Sequence, residues 1–463
     1  MLNSKAKWQI ASSVRVIPYM DGRPDEDFCL VVNVANKRWL KITTQAYEFL
    51  LECSADCPLA EVIAEASQRF EIEEKELVAL RDEFVRQGFL IRPGQEQQEV
   101  NASNCAVDNR GAVVYLNVTE RCNLKCPYCY FNAGPGGKDP LSASEINRIT
   151  DNLAANGVTE VVISGGEPLI RRDIFKILEH ARSQFEKIYL LTNGVFLAKY
   201  ELCKRLVGLV DRVQVSVDGS RPEVHECIRG KGTFTPTIQA LKNLKEAGVP
   251  KVTISMTLTK LNAHDALNVM ELASDLEVRF DFNRSTPIGR GRHRDDLSLT
   301  PQEVLDVFKA VQEQALKAGH IRLDPLYRQL GRPIRLKCGA GTTSSFSIAP
   351  DGSVYPCHVL HQPQFYIGNA LYESDLRSMI GNSPVAQRLR ELEVDSRPKC
   401  KECFVRYFCG GGCPANSYAA HGDIQALDPF CPFYSKFETA IITGWRYDLP
   451  PVANVKRVIE RLQ

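Results

Sequence analysis

No apolar run in the 463 residues approaches the roughly 20 that a helix needs to cross a bilayer. The first stretch, MLNSKAKWQIASSVRVIPY, also lacks the uninterrupted apolar core of a secretory signal. An excess of either charge is missing: 57 Lys and Arg stand against 56 Asp and Glu, a net +1. That balance argues against a broad nucleic-acid or membrane-surface field. Tandem repeats and low-complexity tracts are absent. A cytoplasmic globular protein is therefore expected, with neither a nucleic-acid nor a membrane partner. Its length suggests roughly two to four domains.

Cysteine is plentiful, at 16 residues. A reduced compartment has little use for disulfides, so dense cysteine spacing there reads first as metal binding or catalysis. Three lie at 122–129 and seven between Cys338 and Cys431. The other six, Cys29, Cys53, Cys57, Cys105, Cys203 and Cys227, are scattered and read as ordinary buried or surface thiols.

Residues 1–95 look like a separate module. Apolar β-rich stretches (SVRVIPYM, DFCLVVNVA, RWLKI) precede helical patterns at TTQAYEFLLECS, PLAEVIAEASQRF and EKELVALRDEFVRQGFLI. Thr is a natural cap for the first helix and Pro suits the first turn of the second. Strands followed by helices predict a small α+β, winged-helix-like unit. The polar stretch over 96–111 reads as a linker. From 112 to 330, six short apolar runs alternate with amphipathic helices, the pattern of a parallel β/α sheet or partial barrel. Residues 331–445 are rich in Gly, Cys and Pro with short elements, as where metal clusters replace part of a core. Residues 446–463 form a terminal helix or tail.

The first cysteine group, VTERCNLKCPYCYF, follows the first strand of the β/α region. Cys122, Cys126 and Cys129 offer three thiolates from one loop. A cubane [4Fe–4S] cluster takes one ligand per iron, usually cysteine. Three ligands leave one iron open to chelate the amine and carboxylate of a methionine moiety. Structural zinc is the competing reading, but it wants four protein ligands, and His180 or another distant residue would have to be the fourth.

This spacing, with Tyr128 before the last cysteine, resembles the radical S-adenosylmethionine (radical SAM) superfamily over about 112–290. Further motifs follow in order. Ile163-Ser164-Gly165-Gly166-Glu167-Pro168 closes the second strand, and its two glycines permit a close backbone approach to a ligand. Val215-Ser216-Val217-Asp218-Gly219 ends the fourth strand, and taken alone its Asp–Gly is a turn. Arg229 lies in CIRGKGTF, and Asn193 closes the third strand in LLTNG. The resemblance implies that Tyr128 packs near the adenine and that Gly165, Gly166 and Glu167 contact the methionine amino group. It implies Ser216 for the ribose or carboxylate, and Arg229 for the carboxylate, which a guanidinium can bind in bidentate fashion. Asn193 is a further site candidate. The chemistry implied is reductive cleavage of S-adenosylmethionine to a 5′-deoxyadenosyl radical, which removes hydrogen from an unactivated carbon. Flavodoxin or ferredoxin would supply the electron.

The second group is spaced Cys338-x18-Cys357, then Cys400-x2-Cys403-x5-Cys409-x3-Cys413, then x17 to Cys431. With Gly352 five residues before Cys357, it resembles the SPASM extension of radical enzymes that modify peptides. A zinc ribbon is the bland alternative. The resemblance assigns Cys400, Cys403, Cys409 and Cys431 to one auxiliary [4Fe–4S] cluster. It assigns Cys338, Cys357 and Cys413 to another, making three clusters in all. No fourth cysteine follows Cys338 in GAGTTSSFSIAP, so one auxiliary iron is expected to be open to a substrate thiolate. Anaerobic sulfatase maturases carry an Asp base straight after the equivalent of Cys357. This chain has His358 there, a candidate proton acceptor, and the difference weakens a sulfatase-maturase assignment.

Residues 1–95 resemble the leader-recognition module of ribosomal-peptide modifying enzymes, which binds its leader by strand addition. The whole resembles sactipeptide and ranthipeptide thioether synthases, implying a precursor peptide with a leader and a Cys-containing core. Carbon–carbon cross-linking of a peptide is the alternative within the class. An iron–sulfur binding or assembly protein is the alternative outside it.

Overall fold

The computed structural model describes residues 8–19, 27–54, 57–93, 112–318, 334–446 and 449–462. The linker expected over 96–111, with Cys105, and the expected boundary at 330 lie outside them. The chain divides into two compact units. Residues 1–106, 331–336 and 394–410 form the first, and residues 107–330, 337–393 and 411–463 the second.

The first unit opens with β1 (Gln9–Ile10), β2 (Val14–Tyr19), β3 (Phe28–Asn33) and β4 (Arg38–Thr43). Helices α1 (Thr44–Cys53), α2 (Leu59–Phe70) and α3 (Glu74–Arg86) follow, then β5 (Leu90–Ile91), which pairs with β1. Strands β2, β3 and β4 form an antiparallel sheet in that order. Strand alternation gives the sheet two faces. Cys29, Val31 and Ile42 pack on one side with Phe49, Leu50, Val62, Leu77 and Phe84 of the helices. The Thr43 hydroxyl accepts the Ala46 N–H at 3.1 Å and starts α1. Burial raises the thiol pKa values of Cys29 and Cys53, the latter to about 12, so both behave as core residues.

The second unit is built on one large sheet. Its strands are β6 (Ala112–Asn117), β7 (Val158–Ser164), β8 (Lys187–Thr192), β9 (Arg212–Ser216), β10 (Val252–Leu258), β11 (Arg279–Arg284), β12 (Ser345–Ile348), β13 (Ser353–Tyr355) and β14 (Gly368–Asn369). The order is β11-β10-β9-β8-β7-β6-β12-β13-β14. The first six strands are mutually parallel and lie in chain order. Strand β12 joins β6 in parallel, and β13 and β14 continue antiparallel.

Helices α4 (Ala143–Ala155), α5 (Ile174–Gln184), α6 (Tyr200–Leu206), α7 (Pro222–Arg229), α8 (Phe234–Ala247) and α9 (Ala266–Asp275) connect the parallel strands. Helix α10 (Pro301–Lys317) follows β11. A capping box between Ser142 and Glu145 starts α4. The strands are near-continuous apolar runs packed into a single core with these helices, as a covered parallel sheet requires. The C-terminal ends of β6 to β10 therefore gather the loops that carry the candidate residues. Among the described residues, no helix is long and apolar enough to cross a membrane.

Candidate functional site

Cys122, Cys126 and Cys129 sit on the loop after β6. Each thiol lies within electrostatic reach of the other two. Burial lifts the Cys122 thiol to about 11 and raises that of Cys126. The Leu124 N–H points at Cys122 Sγ, 3.4 Å away. Three soft donors converging from one loop, one already receiving an N–H, fit an iron–sulfur cluster. A bound metal's charge would supply what burial denies the thiolates. The zinc reading finds no support in His180, which bonds Asp151 at 2.7 Å. Among the described residues, no three His, Cys, Asp or Glu side chains gather tightly enough for a single metal ion.

Three neighbouring segments grip this loop. From β7, Gly166 N donates to Thr119 O and Glu167 N to Arg121 O, both at 2.8 Å. Gly165, at φ 130°, and Gly166 have room for no Cβ, because the carbonyls of Thr119 and Arg121 occupy the space. The close approach read from the Gly–Gly pair is thus, in this structure, an approach to backbone next to Cys122. From β8, Asn193 Nδ2 donates to Asn123 Oδ1 at 2.9 Å and lies 4.0 Å from Cys122 Sγ. From the turn after β11, Arg290 Nε donates to Cys126 O, and Arg290 N to Cys129 O, both at 3.0 Å. Nothing in the local sequence marks Arg290. Only the parallel order of the strands brings it to the cysteines.

Glu167 is fully buried. Its carboxylate accepts from Asn193 N (2.7 Å), Thr192 Oγ1 (2.8 Å) and Leu169 N (3.1 Å). Burial outweighs these donors and lifts its pKa to about 7. Ser216 ends β9 opposite Ser255 of β10 and is half-buried.

Arg229 closes α7 and forms a buried ion pair, its Nε 2.6 Å from Asp218 Oδ2. Its Nη2 also donates to the Tyr128 hydroxyl, which donates in turn to Asp218. Asp218 accepts the Thr257 N–H at 2.9 Å, and its own N–H donates to His225 Nδ1 at 3.3 Å. Asp218, which looks like a turn residue in the sequence, is the hub that fixes both Tyr128 and Arg229.

Cys338, Cys357 and Cys413 pack in one cluster with Tyr355 and Tyr418. Their thiols influence one another, and burial raises Cys357 to about 12 and Cys413 to about 11. This trio has the same donor chemistry as the first. Cys400, Cys403 and Cys409 lie in the first unit, while Cys431 opens a helix of the second.

His358 stacks on Tyr115 of β6 at 4.3 Å and meets Tyr130 edge-on, with Nδ1 3.8 Å from Cys357 Sγ. Burial lowers its pKa to about 4, so it is neutral. A cavity of about 1300 Å³ opens beside the cysteine loop. Lys125, Tyr130, Phe131, Arg292, Tyr355 and His361 are in its wall; His358 is not. His361 stacks on Tyr355 at 4.6 Å, and its Nε2 is 2.9 Å from Ser347 Oγ. His361, three residues beyond the one singled out by sequence, meets the cavity, as does His293.

Comparison with known proteins agrees with this geometry. The model of the radical SAM superfamily matches residues 116–273, and that of the SPASM iron–sulfur cluster-binding domain matches residues 338–404. The mycofactocin maturase MftC of Mycolicibacterium smegmatis is 30% identical over 324 residues, covering 68% of this chain and 81% of that one. The subtilosin biosynthesis protein AlbA of Bacillus subtilis is 30% identical over 328 residues, covering 65% and 68%. The crystal structure of Streptococcus suis SuiB bound to its precursor peptide SuiA shares the fold at TM-score 0.56 and 15% identity, over 91% of this chain and 98% of that one. The chain belongs to the radical SAM superfamily, in the branch that carries a SPASM iron–sulfur domain and in which such maturases are found.

Proposed function

We propose that the chain is an enzyme that joins cysteine sulfur to carbon, as a thioether, within a ribosomally made precursor peptide. Peptide modification is supported by relatives named as maturases and by SuiB, whose structure holds its precursor peptide. The observation that carries the thioether reading is the trio Cys338, Cys357 and Cys413. Their cluster of packed residues contributes Tyr355 and Tyr418 to the wall of the large cavity. Three thiolates leave one iron of a cubane without a protein ligand, and a peptide cysteine in that cavity would complete it. Metal coordination would hold the peptide sulfur as thiolate.

Cys122, Cys126 and Cys129 would hold the cluster that binds S-adenosylmethionine. Bound there, cluster and S-adenosylmethionine supply one-electron cleavage of the sulfonium and hydrogen-atom abstraction. The chain's own residues orient and exclude. Tyr128 and Arg229, fixed by Asp218, would shape the S-adenosylmethionine site together with Gly165, Gly166, Glu167, Asn193 and Ser216. Lys125, Arg292 and the aromatic wall would receive the peptide. Cys400, Cys403, Cys409 and Cys431 would hold the remaining auxiliary cluster, giving three. Residues 1–95 would act as a winged-helix-like leader module ahead of a partial (β/α)6 barrel over 112–330. We place the reaction in the cytoplasm, with flavodoxin or ferredoxin as reductant.

The test is anaerobic incubation of reconstituted protein with dithionite, S-adenosylmethionine and the Cys-containing peptide encoded beside its gene. The expected outcome is 5′-deoxyadenosine together with a peptide that has lost a pair of hydrogens and its free thiol. Sulfur-edge absorption should show a new iron–sulfur bond when the peptide is added. A peptide that loses hydrogens but keeps its thiol would point to carbon–carbon cross-linking instead.

A further inference from the structure

The three-stranded sheet of the first unit has a second face, and this face is not solvent. Phe28, Leu30 and Val32 point away from the helices, because their neighbours Cys29 and Val31 point toward them. The register sets Tyr19 opposite Phe28, Ile17 opposite Leu30 and Trp39 opposite Val32 on this same face. Leu30 and Val32 are nonetheless 0% exposed. Part of the cover is a distant piece of chain, residues 394–410, which belongs to the same compact unit.

That cover is aromatic. Phe404 lies 4.9 Å from Tyr19 and 6.2 Å from Phe28, ring centre to ring centre. Phe408 meets Trp39 edge-on at 4.9 Å. Tyr407, between them, is fully buried, and its hydroxyl donates to Asp395 at 2.9 Å. Main-chain bonds tie this segment to residues 334–336, Arg335 N to Tyr407 O at 2.6 Å and Val394 N to Leu336 O at 2.9 Å, and that strip in turn bonds the sheet, Ile334 N to Lys37 O at 3.4 Å. These rings alternate with cysteines. Phe404 follows Cys403, and Phe408 precedes Cys409. Residues 394–410 contain only one short helix, Arg406–Cys409, and no strand. Its own backbone bonds are short-range turns, such as Cys403 N to Cys400 O at 2.8 Å and Cys409 N to Val405 O at 3.0 Å, so its apolar rings are buried only by what they pack on.

We propose that the amino-terminal sheet is the seat of the auxiliary cluster held by Cys400, Cys403 and Cys409, with Trp39, Phe404 and Phe408 as positioning residues. The module that would dock a leader peptide and the loop that would hold iron then fold as one unit. The inference rests on the reading of those cysteines as cluster ligands. Coupling of this kind is reciprocal. If the sheet orders the cysteines for metal, the metal must stabilise the sheet by the same free energy.

Both directions can be measured on the full-length protein, reconstituted anaerobically. Iron content and Mössbauer spectra are compared for the native chain, Cys403→Ser, Trp39→Ala, Trp39→Phe and Phe408→Ala. Trp39→Ala and Phe408→Ala should lose the same share of iron as Cys403→Ser, while Trp39→Phe, which keeps a ring, retains it. Hydrogen exchange at the β3 amides of Leu30 and Val32 should quicken about tenfold in Cys403→Ser and in Phe408→Ala. Phe408→Ala also removes packing from Trp39, so Cys403→Ser, whose side chain is not one of the rings on the sheet, carries the metal-dependent part of the test. Full iron in Trp39→Ala and Phe408→Ala overturns the proposal, and so does unchanged β3 exchange in Cys403→Ser. Full iron in Cys403→Ser itself overturns the ligand reading, and the inference falls with it.

Discussion

Arg229 and Asp218 are 8% and 0% exposed, so neither charge has water to fall back on. A buried pair of this kind gains little over an apolar one, but breaking it strands the survivor. Asp218→Asn keeps the shape and an acceptor for Thr257 N while removing the charge opposite the guanidinium. It should cost about 3 kcal/mol in urea unfolding of the metal-free chain. Tyr128→Phe removes one hydroxyl from the same network and leaves the ion pair intact, so about 1 kcal/mol is expected. Equal losses would show that the hydroxyl, rather than the pair, holds the network. Asp218 is also where reading by local pattern stops. Val-Asp-Gly looks like a turn because the partners, Arg229 and Tyr128, are brought in by α7 and by the loop after β6. The legible signal was weaker: a carboxylate that closes an apolar strand must find a partner. His358 shows the same limit. Its place beside Cys357 is plain in the sequence, but only the fold shows that an aromatic stack holds it and that His361 meets the cavity.

At the scale of elements, long periodic segments were readable and short ones were not. The apolar, β-rich stretches became β2 to β4, and the amphipathic stretches became α4, α5, α8, α9 and α10. Helices α6 and α7 span only 7 and 8 residues, about two turns, which is too short for a helical period to stand out. Pro58 caps α2 rather than entering it. The glycines of the cysteine loop carry information that the sequence cannot rank. Gly136 and Gly137 are adjacent. A Cβ on Gly136 would meet nothing within 4 Å, whereas one on Gly137 would collide with the Glu120 carbonyl and come within 2.7 Å of Arg121 N. Gly136→Ala should therefore leave iron content and stability near native. Gly137→Ala should push the 134–138 turn off the strand end, costing about 1–3 kcal/mol and lowering iron retention. Thermal unfolding and iron counts on the pair of variants check this. If both are tolerated, the loop is looser than its packing indicates.

At the scale of the whole molecule, the chain spreads its thiols over separate structural settings. Cys122, Cys126 and Cys129 lie at the mouth of a parallel sheet; Cys338, Cys357 and Cys413 pack below a cavity wall; Cys400, Cys403 and Cys409 lie in the first unit, whose antiparallel sheet packs on the adjoining Phe404. Spacing alone made these groups visible, because cluster ligation constrains sequence far more tightly than a core does. What spacing could not give was their surroundings, which depend on contacts hundreds of residues apart, such as Asn117 to Ile348. If each group holds its own cluster, loss of one should spare the others. A Cys122/Cys126/Cys129→Ala variant should lose about a third of the iron of the reconstituted chain and all 5′-deoxyadenosine formation. It should keep the auxiliary signals in electron paramagnetic resonance. Cys357→Ala should show the opposite pattern, with 5′-deoxyadenosine still formed but no sulfur–carbon bond made. The trio around Cys357 packs among Leu360, Phe365 and Leu389, and reaches the first cysteine loop through the Tyr115, His358 and Tyr130 rings. A Cys357→Ala chain that no longer cleaves S-adenosylmethionine would mean that the two sites are coupled through the stack of Tyr115, His358 and Tyr130, and that this aromatic bridge is part of the machinery.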